Sequence, residues 1–519
     1  MSKFLKGTLI LLAAGLVTRV LGFINRIVIA RFIGEEGVGL YMMAFPTFIL
    51  AVTITQLGLP VAISKNVAEA EARGDRAKVK KILVVSLATT ITLSIIFTPA
   101  LIFLAPILSK TLFTDSRTYL PLLAIAPIVP IIAVSSVIRG YFQGRQNMKP
   151  AAISQMLEQL VRITLIAALT KAFLPYGIEY AAAGAMLASV IGELASLVYL
   201  LATFKLKKKF RVRKHFFQYV KTGKSTFSDL MAIALPTTGS RMIGSLAWFF
   251  EPIVVSHSLA IAGVAAIAAT KQYGALTGFA LPLLMLPSFI THSLSTALVP
   301  AISEANSRNN NRLIEYRLQQ ALRLTFLTGG LAVVILYVLS EELMSVMYGS
   351  NSGAQFIKLM APFFIFYYYQ GPLQATLQAL NLARAAMINS LIGAVVKTAV
   401  IFILASQPAF GINGVAMGIL VGFVLVTLLH FATVLKAISF TFYIRDYLKT
   451  FIVMGISGWG GFWLLDVLNS QMSLVIRVLI ISIAISIIYL ILTFFLKLVK
   501  KDEIIRIPWI GQPLAKFFR

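Results

Sequence analysis

Long apolar segments, each closed by a short polar or basic stretch, run the length of the chain. Fourteen are long enough to cross a bilayer, which takes ~20 helical residues. They fall at about 5–32, 39–64, 82–108, 119–143, 151–173, 179–204, 228–256, 262–302, 320–347, 355–381, 386–406, 411–436, 447–468 and 474–498. The pattern predicts an all-α polytopic membrane protein with about 14 transmembrane helices. Segment 262–302 is overlong and contains Pro282 and Pro287. Proline removes a backbone donor and clashes with the preceding turn, so a kink is expected there. The first segment carries arginines and no small-residue exit site, so it reads as a span and not as a cleaved leader.

The segments repeat. Gln143-Gly144-Arg145-Gln146-Asn147-Met148-Lys149-Pro150-Ala151-Ala152-Ile153-Ser154 closes the fourth and opens the fifth. Gln378-Ala379-Leu380-Asn381-Leu382-Ala383-Arg384-Ala385-Ala386-Met387-Ile388-Asn389 does the same for the tenth and eleventh, and continuing the offset sets Arg162 against Lys397. A second echo pairs Pro60-Val61-Ala62-Ile63-Ser64 with Pro300-Ala301-Ile302-Ser303. Two six-helix lobes related by a pseudo-two-fold axis are therefore expected, with a site between them. The boundaries are 1–204 for the first lobe, 205–227 for a basic linker and 228–437 for the second lobe. Two further spans at 438–498 and a basic tail at 499–519 complete the chain.

Composition agrees: 58% of residues are hydrophobic and 13% charged, against about 45–50% and 25% in soluble domains. The net charge of +27 would suit nucleic acid, but its placement argues for topology. With a cytoplasmic N-terminus, 32 of the 46 basic residues fall in cytoplasmic stretches and four in exterior loops. The positive-inside rule sets both termini in the cytoplasm and leaves no role for nucleic acid. Zero cysteines exclude disulfides and iron–sulfur clusters, and His215, His257, His292 and His430 lack metal-ligand spacing. Thr222-Gly223-Lys224-Ser225-Thr226 imitates the end of a P-loop, but position 218 is Gln218 and no strand precedes it. No cofactor is expected.

The charges inside the spans carry the functional signal. Cations there are Arg19, Arg26, Arg139, Arg162, Arg241, Lys271, Arg323, Lys397 and Arg477, with Arg31 near the end of the first span; acids are only Glu158, Glu193 and Glu251. Arg19, Gly22 and Arg26 share one helix face. An arginine at mid-membrane costs roughly 2.5–3.5 kcal/mol on insertion scales, so that face must turn to protein or to a water-filled cavity. Glu158 and Arg162 are spaced to pair, either structurally or as a coupling site. Glu251 has Arg241 or Lys271 as candidate partners. Arg139 and Arg323 are expected at the cytoplasmic edge. The surplus of cations points to an anion that visits the cavity, and arginine's planar fork suits phosphate.

Three stretches carry a family resemblance: Thr18-Arg19-Val20-Leu21-Gly22-Phe23, Gly58-Leu59-Pro60-Val61-Ala62-Ile63-Ser64 and Arg139-Gly140-Tyr141-Phe142-Gln143-Gly144. The chain resembles the polysaccharide-exporter branch of the multidrug/oligosaccharidyl-lipid/polysaccharide (MOP) superfamily, from Leu5 to Pro508-Trp509-Ile510-Gly511. The resemblance implies alternating access by a MATE-like pair of lobes. In members similar to MurJ-type lipid II flippases it implies an undecaprenyl-pyrophosphate-linked glycan as substrate, in the plasma membrane of a bacterium. Such flippases carry Arg-x-Leu-Gly-Phe-x-Arg in the first span. Arg19 matches the first arginine, the second falls on Asn25, and Arg26 is displaced by one residue, about 100° of helix rotation. Lys271 matches a cation of the eighth span only approximately. Gln56 stands where some flippases have an acid, so no carboxylate role carries over. The last two spans imply a groove for the lipid tail.

The expected substrate-binding residues are Arg19, Asn25, Arg26, Arg162, Arg241, Lys271 and Lys397, with Glu158 and Glu251 as coupling or structural acids. Partners are the lipid-linked glycan, membrane lipids and cell-wall synthesis proteins. The rival readings are a cation-coupled antiporter, which needs more intramembrane acids than three, and an enzyme or scaffold of cell-wall synthesis. Acids of the short exterior loops show no paired spacing for catalysis.

Overall fold

The computed structural model describes residues 3–207, 216–441, 443–468 and 472–499, with side chains from Ala14 onward. Most of the basic linker run and of the basic tail lies outside the described residues, as does Pro508–Gly511. Among the described residues every regular element is helical.

The chain forms two compact units. The first, residues 1–282 with 398–418, contains α1 (Lys3–Gln56), α2 (Leu59–Ala72), α3 (Arg76–Ile107), α4 (Tyr119–Ile125), α5 (Ile128–Gly144), α6 (Lys149–Phe173), α7 (Ile178–Lys207), α8 (Phe216–Lys221), α9 (Lys224–Ile261) and α10 (Ala266–Tyr273). The second, residues 283–397 with 419–519, takes in most of α11 (Leu281–Met285), then α12 (Ser288–Ser307), α13 (Asn311–Val338), α14 (Ser340–Tyr348), α15 (Ala354–Met360) and α16 (Phe364–Ala379). It also holds most of α17 (Ala383–Ala405) and α18 (Gly411–Ala437), with α19 (Ile444–Val467) and α20 (Leu474–Phe495).

The 54 residues of α1 would be ~80 Å long as one rod, against ~30 Å of hydrocarbon. Gly34 breaks it, with φ 62° and ψ −170°, a conformation that glycine adopts without a Cβ clash. Gly58, at φ 60°, then starts α2 with Pro60 in its first turn. There the missing amide hydrogen costs nothing. Asp75 caps α3 by accepting from the Lys78 amide at 2.8 Å, and Asn310 caps α13 through the Leu313 amide at 3.0 Å. Helix α8, not a strand, precedes Gly223, so the P-loop-like stretch has no P-loop setting.

Among the described residues eleven helical stretches are long and apolar enough to span a membrane, or up to twelve with one bent pair. The expected fourteen differ at three places. The first two segments fall within the single stretch Ala14–Ala72, segment 262–302 is the pair that breaks between Met285 and Ser288, and segment 355–381 is divided between α15 and α16 around Pro362. The kink expected near Pro287 is present. Large apolar side chains such as Ile95, Phe103, Trp459 and Phe495 are exposed. Together with the apolar helices, these surfaces define a multi-pass membrane protein whose outer faces are covered by lipid.

Two of the quoted motifs meet in the first unit. Helix α2 packs on α5, and a Cβ on Gly144 would sit 2.6 Å from the Ser64 carbonyl oxygen, one on Gly140 2.9 Å from that of Pro60. Small residues four apart let two backbones touch, the packing that replaces the hydrophobic effect inside a bilayer. Ile63, Val67, Tyr141, Phe142 and Leu200 close the core around this contact. The second unit has its own version. Ile302, Ala375, Leu377 and Ala379 share one buried core, at the positions that the repeat sets against Ile63, Gly140, Phe142 and Gly144. In the same unit α19 and α20 pack on each other and on α13.

Candidate functional site

Polar chemistry in the first unit gathers at three places. One is the face of α1 before Gly34. Arg19 is exposed there, between Val17 and Val20, which are exposed as well. A Cβ on Gly15 or Gly22 would meet nothing within 4 Å. The arginine thus stands on an open helix face with clearance on both sides. Arg26 is half-buried and has an interaction partner of its own. Asn25 is buried, and its side-chain oxygen has no hydrogen-bond partner. The one-residue displacement seen in the sequence is therefore real in three dimensions: Arg26 and Asn25 occupy different environments. Arg241, on α9, is exposed.

The second place is a buried group of charges from three helices. Arg139 of α5 donates through Nη2 to Glu193 Oε1 of α7 at 3.0 Å and to Ser196 Oγ at 2.8 Å. The same nitrogen is 3.7 Å from Glu158 Oε2 of α6. Arg162 pairs with Glu158, as the i, i+4 spacing predicts. Gly192 lets α7 close on α6: a Cβ there would be 2.9 Å from the Glu158 carbonyl oxygen. Arg139, which its position in the sequence sets near the cytoplasmic edge, is paired with Glu193 and Ser196 inside the bundle. Its partner, 54 residues on in another helix, has no local signature.

The third place is at the Gly34 end. Arg117 donates to Asp115 (Nη2 to Oδ2, 2.8 Å) and to Glu36. Thr270 Oγ1 of α10 donates to Asp115 Oδ2 at 2.7 Å, so the carboxylate ties α10 to the chain ahead of α4. Burial would raise the Asp115 carboxyl, but the hydrogen bonds from Arg117 and Thr270 outweigh it and hold the group below the usual carboxylate range. Gly39 lets α1 close on α10, since a Cβ there would be 2.1 Å from the Thr270 carbonyl oxygen. Lys271 belongs to this end as well. Its ammonium lies 3.9 Å from Glu35, and its side chain is 59% exposed. Glu251 is buried on α9.

In the second unit Lys397 is half-buried, its stem packed near Gly422, and it has a partner. Asn389, buried earlier on α17, donates to Thr433 at 2.9 Å and meets His430 at 3.3 Å. Among the described residues no group of three or more His, Cys, Asp or Glu could hold a metal ion.

The described residues thus form an all-helical, multi-pass membrane protein with Arg19 exposed on a spanning helix and charges paired within its first unit. The family model described as "Polysaccharide biosynthesis protein" matches residues 4–306, and the one described as MatE matches residues 250–404. The chain is 63% identical to Stage V sporulation protein B of Bacillus subtilis (strain 168) over 513 residues, 99% of each chain. It is 26% identical to Lipid II flippase MurJ of the same organism over 420 residues, 76% of each. Its fold matches a solved MurJ structure, "inward closed conformation", with a TM-score of 0.67 over 94% of this chain and 99% of that one, at 18% identity. The chain belongs to the polysaccharide biosynthesis protein family, and its fold is shared with solved MurJ and MATE-family structures.

Proposed function

We propose that the protein is a lipid-linked oligosaccharide flippase that moves a peptidoglycan precursor, a lipid II-like undecaprenyl-pyrophosphate glycan, across the bacterial plasma membrane by alternating access. Both termini face the cytoplasm, following the distribution of basic residues. The observation that carries this reading is Arg19: an exposed cation on a spanning helix, with open space at Gly15 and Gly22. Lipid would penalise that placement, whereas a hydrated cavity receiving an anion rewards it. The glycines leave room for a head group beside the charge.

In this mechanism Arg19, with Arg26 and Asn25 close by in the chain, engages the pyrophosphate. Arg162, Arg241 and Lys397 supply further cationic contacts during passage. The isoprenoid tail stays in lipid or along α19 and α20. Protein donors replace the hydration that keeps the head group out of hydrocarbon. An inside-negative potential assists outward movement of a negative head group by about 2.3 kcal/mol per charge per 100 mV. The similarity to a sporulation protein supports use of the substrate in cell-wall or spore-cortex synthesis, with cell-wall synthesis proteins as the expected neighbours.

The test is binding of purified protein to undecaprenyl-pyrophosphate-linked muropeptide. Arg19→Ala is expected to weaken it by about 1.5–3 kcal/mol, the worth of a charged hydrogen bond, or roughly 10–150-fold. Binding that ignores the substitution removes Arg19 from the site; no binding removes the substrate.

A further inference from the structure

The buried charges on α5, α6 and α7 do more than a structural ion-pair network requires. Two arginines and two glutamates balance: Arg162 holds Glu158, and Arg139 is shared between Glu193 and Glu158 through one nitrogen. Yet Arg139 Nε, Arg162 Nε and Gln159 Oε1 are buried with no hydrogen-bond partner. A network retained for stability satisfies its donors, because a half-satisfied one is worse than an apolar core. Glu193 is the deepest member, 2% exposed, while Glu158 and Arg162 keep 12% and 16% of their surface open. Glu158 and Arg162 are thus the more accessible pair, and Glu193 is reached only through Arg139 and Glu158.

Arg162 is the link to transport, and this step rests on the proposed function. When a pyrophosphate takes the Arg162 guanidinium, Glu158 loses its nearer partner. Two carboxylates then share one cation, Arg139, inside the bundle. Like charges this close do not both stay ionised; the pair retains one proton between them. The charged groups facing Glu193 are Arg139 from α5 and Glu158 from α6, with Ser196 on the same guanidinium. Helix α1 also packs on α6 and α7, and α4 on α7; from Ala14 onward α1 carries Arg19, Arg26, Arg31, Glu35, Glu36 and Tyr41, and α4 carries Tyr119.

We infer that the Arg139–Glu158–Arg162–Glu193 cluster takes up a proton when an anionic pyrophosphate engages Arg162, so that ligand binding and protonation are linked at this site. The step balances simply: an O–H bond forms on a carboxylate oxygen as one breaks in hydronium, which leaves water. No electrons are transferred.

The experiment is calorimetric titration of the full chain in nanodiscs with undecaprenyl pyrophosphate, in two buffers of different ionisation heat near neutral pH. The buffer dependence of the heat counts protons. Wild type is expected to take up protons, at most one per ligand, with affinity rising as pH falls, by up to about tenfold per unit. Glu158→Gln and Glu193→Gln are each expected to abolish the uptake, and Glu193→Gln to keep affinity within a few-fold. Wild-type binding without uptake overturns the inference and leaves the flippase reading standing, and it does so whether or not the variants fold. Uptake that persists in both variants assigns the proton to the ligand and overturns it too. Absence of binding overturns both this inference and the reading on which it rests.

Discussion

Thr270 Oγ1 donates a 2.7 Å hydrogen bond to Asp115 Oδ2 across 155 residues of chain. It is a bond between a hydroxyl on α10 and a buried carboxylate that Arg117 also holds, so it locks the Gly34 end of the first unit. Thr270→Val keeps the shape and removes the donor. A hydrogen bond to a charged group is worth about 1.5–3 kcal/mol, and the variant is expected to melt earlier. Because the chain has no cysteine, one introduced at Met43, itself buried, reports on that end alone. Maleimide should label Met43→Cys faster in the Thr270→Val background. An unchanged labelling rate would mean that the lock is held by Arg117 and Glu36 without Thr270.

The same carboxylate sets a pH window. Asp115 is held below its ordinary value of 3.8 in the folded protein. A depressed folded-state pKa contributes stability that is fully present above the unfolded value and is lost as pH falls through the folded one. The lock should therefore be insensitive to pH across the neutral and mildly acidic range and weaken only below the ordinary carboxylate range. Labelling of Met43→Cys across pH measures this, after correction for thiol ionisation. A rise in labelling already in the mildly acidic range would assign the lock to another group.

Gly144 and Gly22 make opposite predictions for one substitution. A methyl on Gly144 would sit 2.6 Å from the Ser64 carbonyl oxygen, whereas one on Gly22 meets nothing within 4 Å. Gly144→Ala must push α2 and α5 apart, at the ~1–3 kcal/mol typical of overpacking. Gly22→Ala lies on the open face of α1 and should leave stability unchanged or slightly improved, since alanine is the better helix former. Thermal melting of the two variants in detergent decides. Equal effects would dissociate the glycines from close packing.

This contrast shows what the sequence could and could not convey. The apolar pattern announced the spans, because a helix in lipid must satisfy its own backbone and so writes an uninterrupted segment. Its segments do not coincide one to one with unbroken helices: the first two share α1 across the break at Gly34, and two others break before Ser288 and around Pro362. The Glu158–Arg162 pair was legible from spacing alone. The Arg139–Glu193 and Arg117–Glu36 pairs were not, since partners 54 and 81 residues apart are joined only by tertiary packing. The motif around Gly140 and Gly144, quoted for a family resemblance, turns out to encode a helix contact. Lys271, read as a substrate ligand, lies beside Glu35 at the Gly34 end, a neighbour that only folding supplies.

Tyr489 separates packing from hydrogen bonding in the terminal helices. Its hydroxyl donates to the Leu327 carbonyl at 2.9 Å, and its ring, 2% exposed, is buried in a cluster with Leu327, Val453 and Leu498. The hydroxyl also lies against Gly330, where a Cβ would come within 2.8 Å of it. Intramembrane hydrogen bonds average only ~0.6 kcal/mol, because the unfolded state in lipid also finds partners. Tyr489→Phe should therefore cost under about 1 kcal/mol. Tyr489→Ala empties the space of a ring at a contact between α13 and α20, and large-to-small aromatic truncations cost roughly 3–5 kcal/mol. The ratio is readable by thermal melting of the two variants with wild type. A phenylalanine variant as unstable as the alanine one would reverse the conclusion and make the hydroxyl, not the ring, the group that holds α20 to α13.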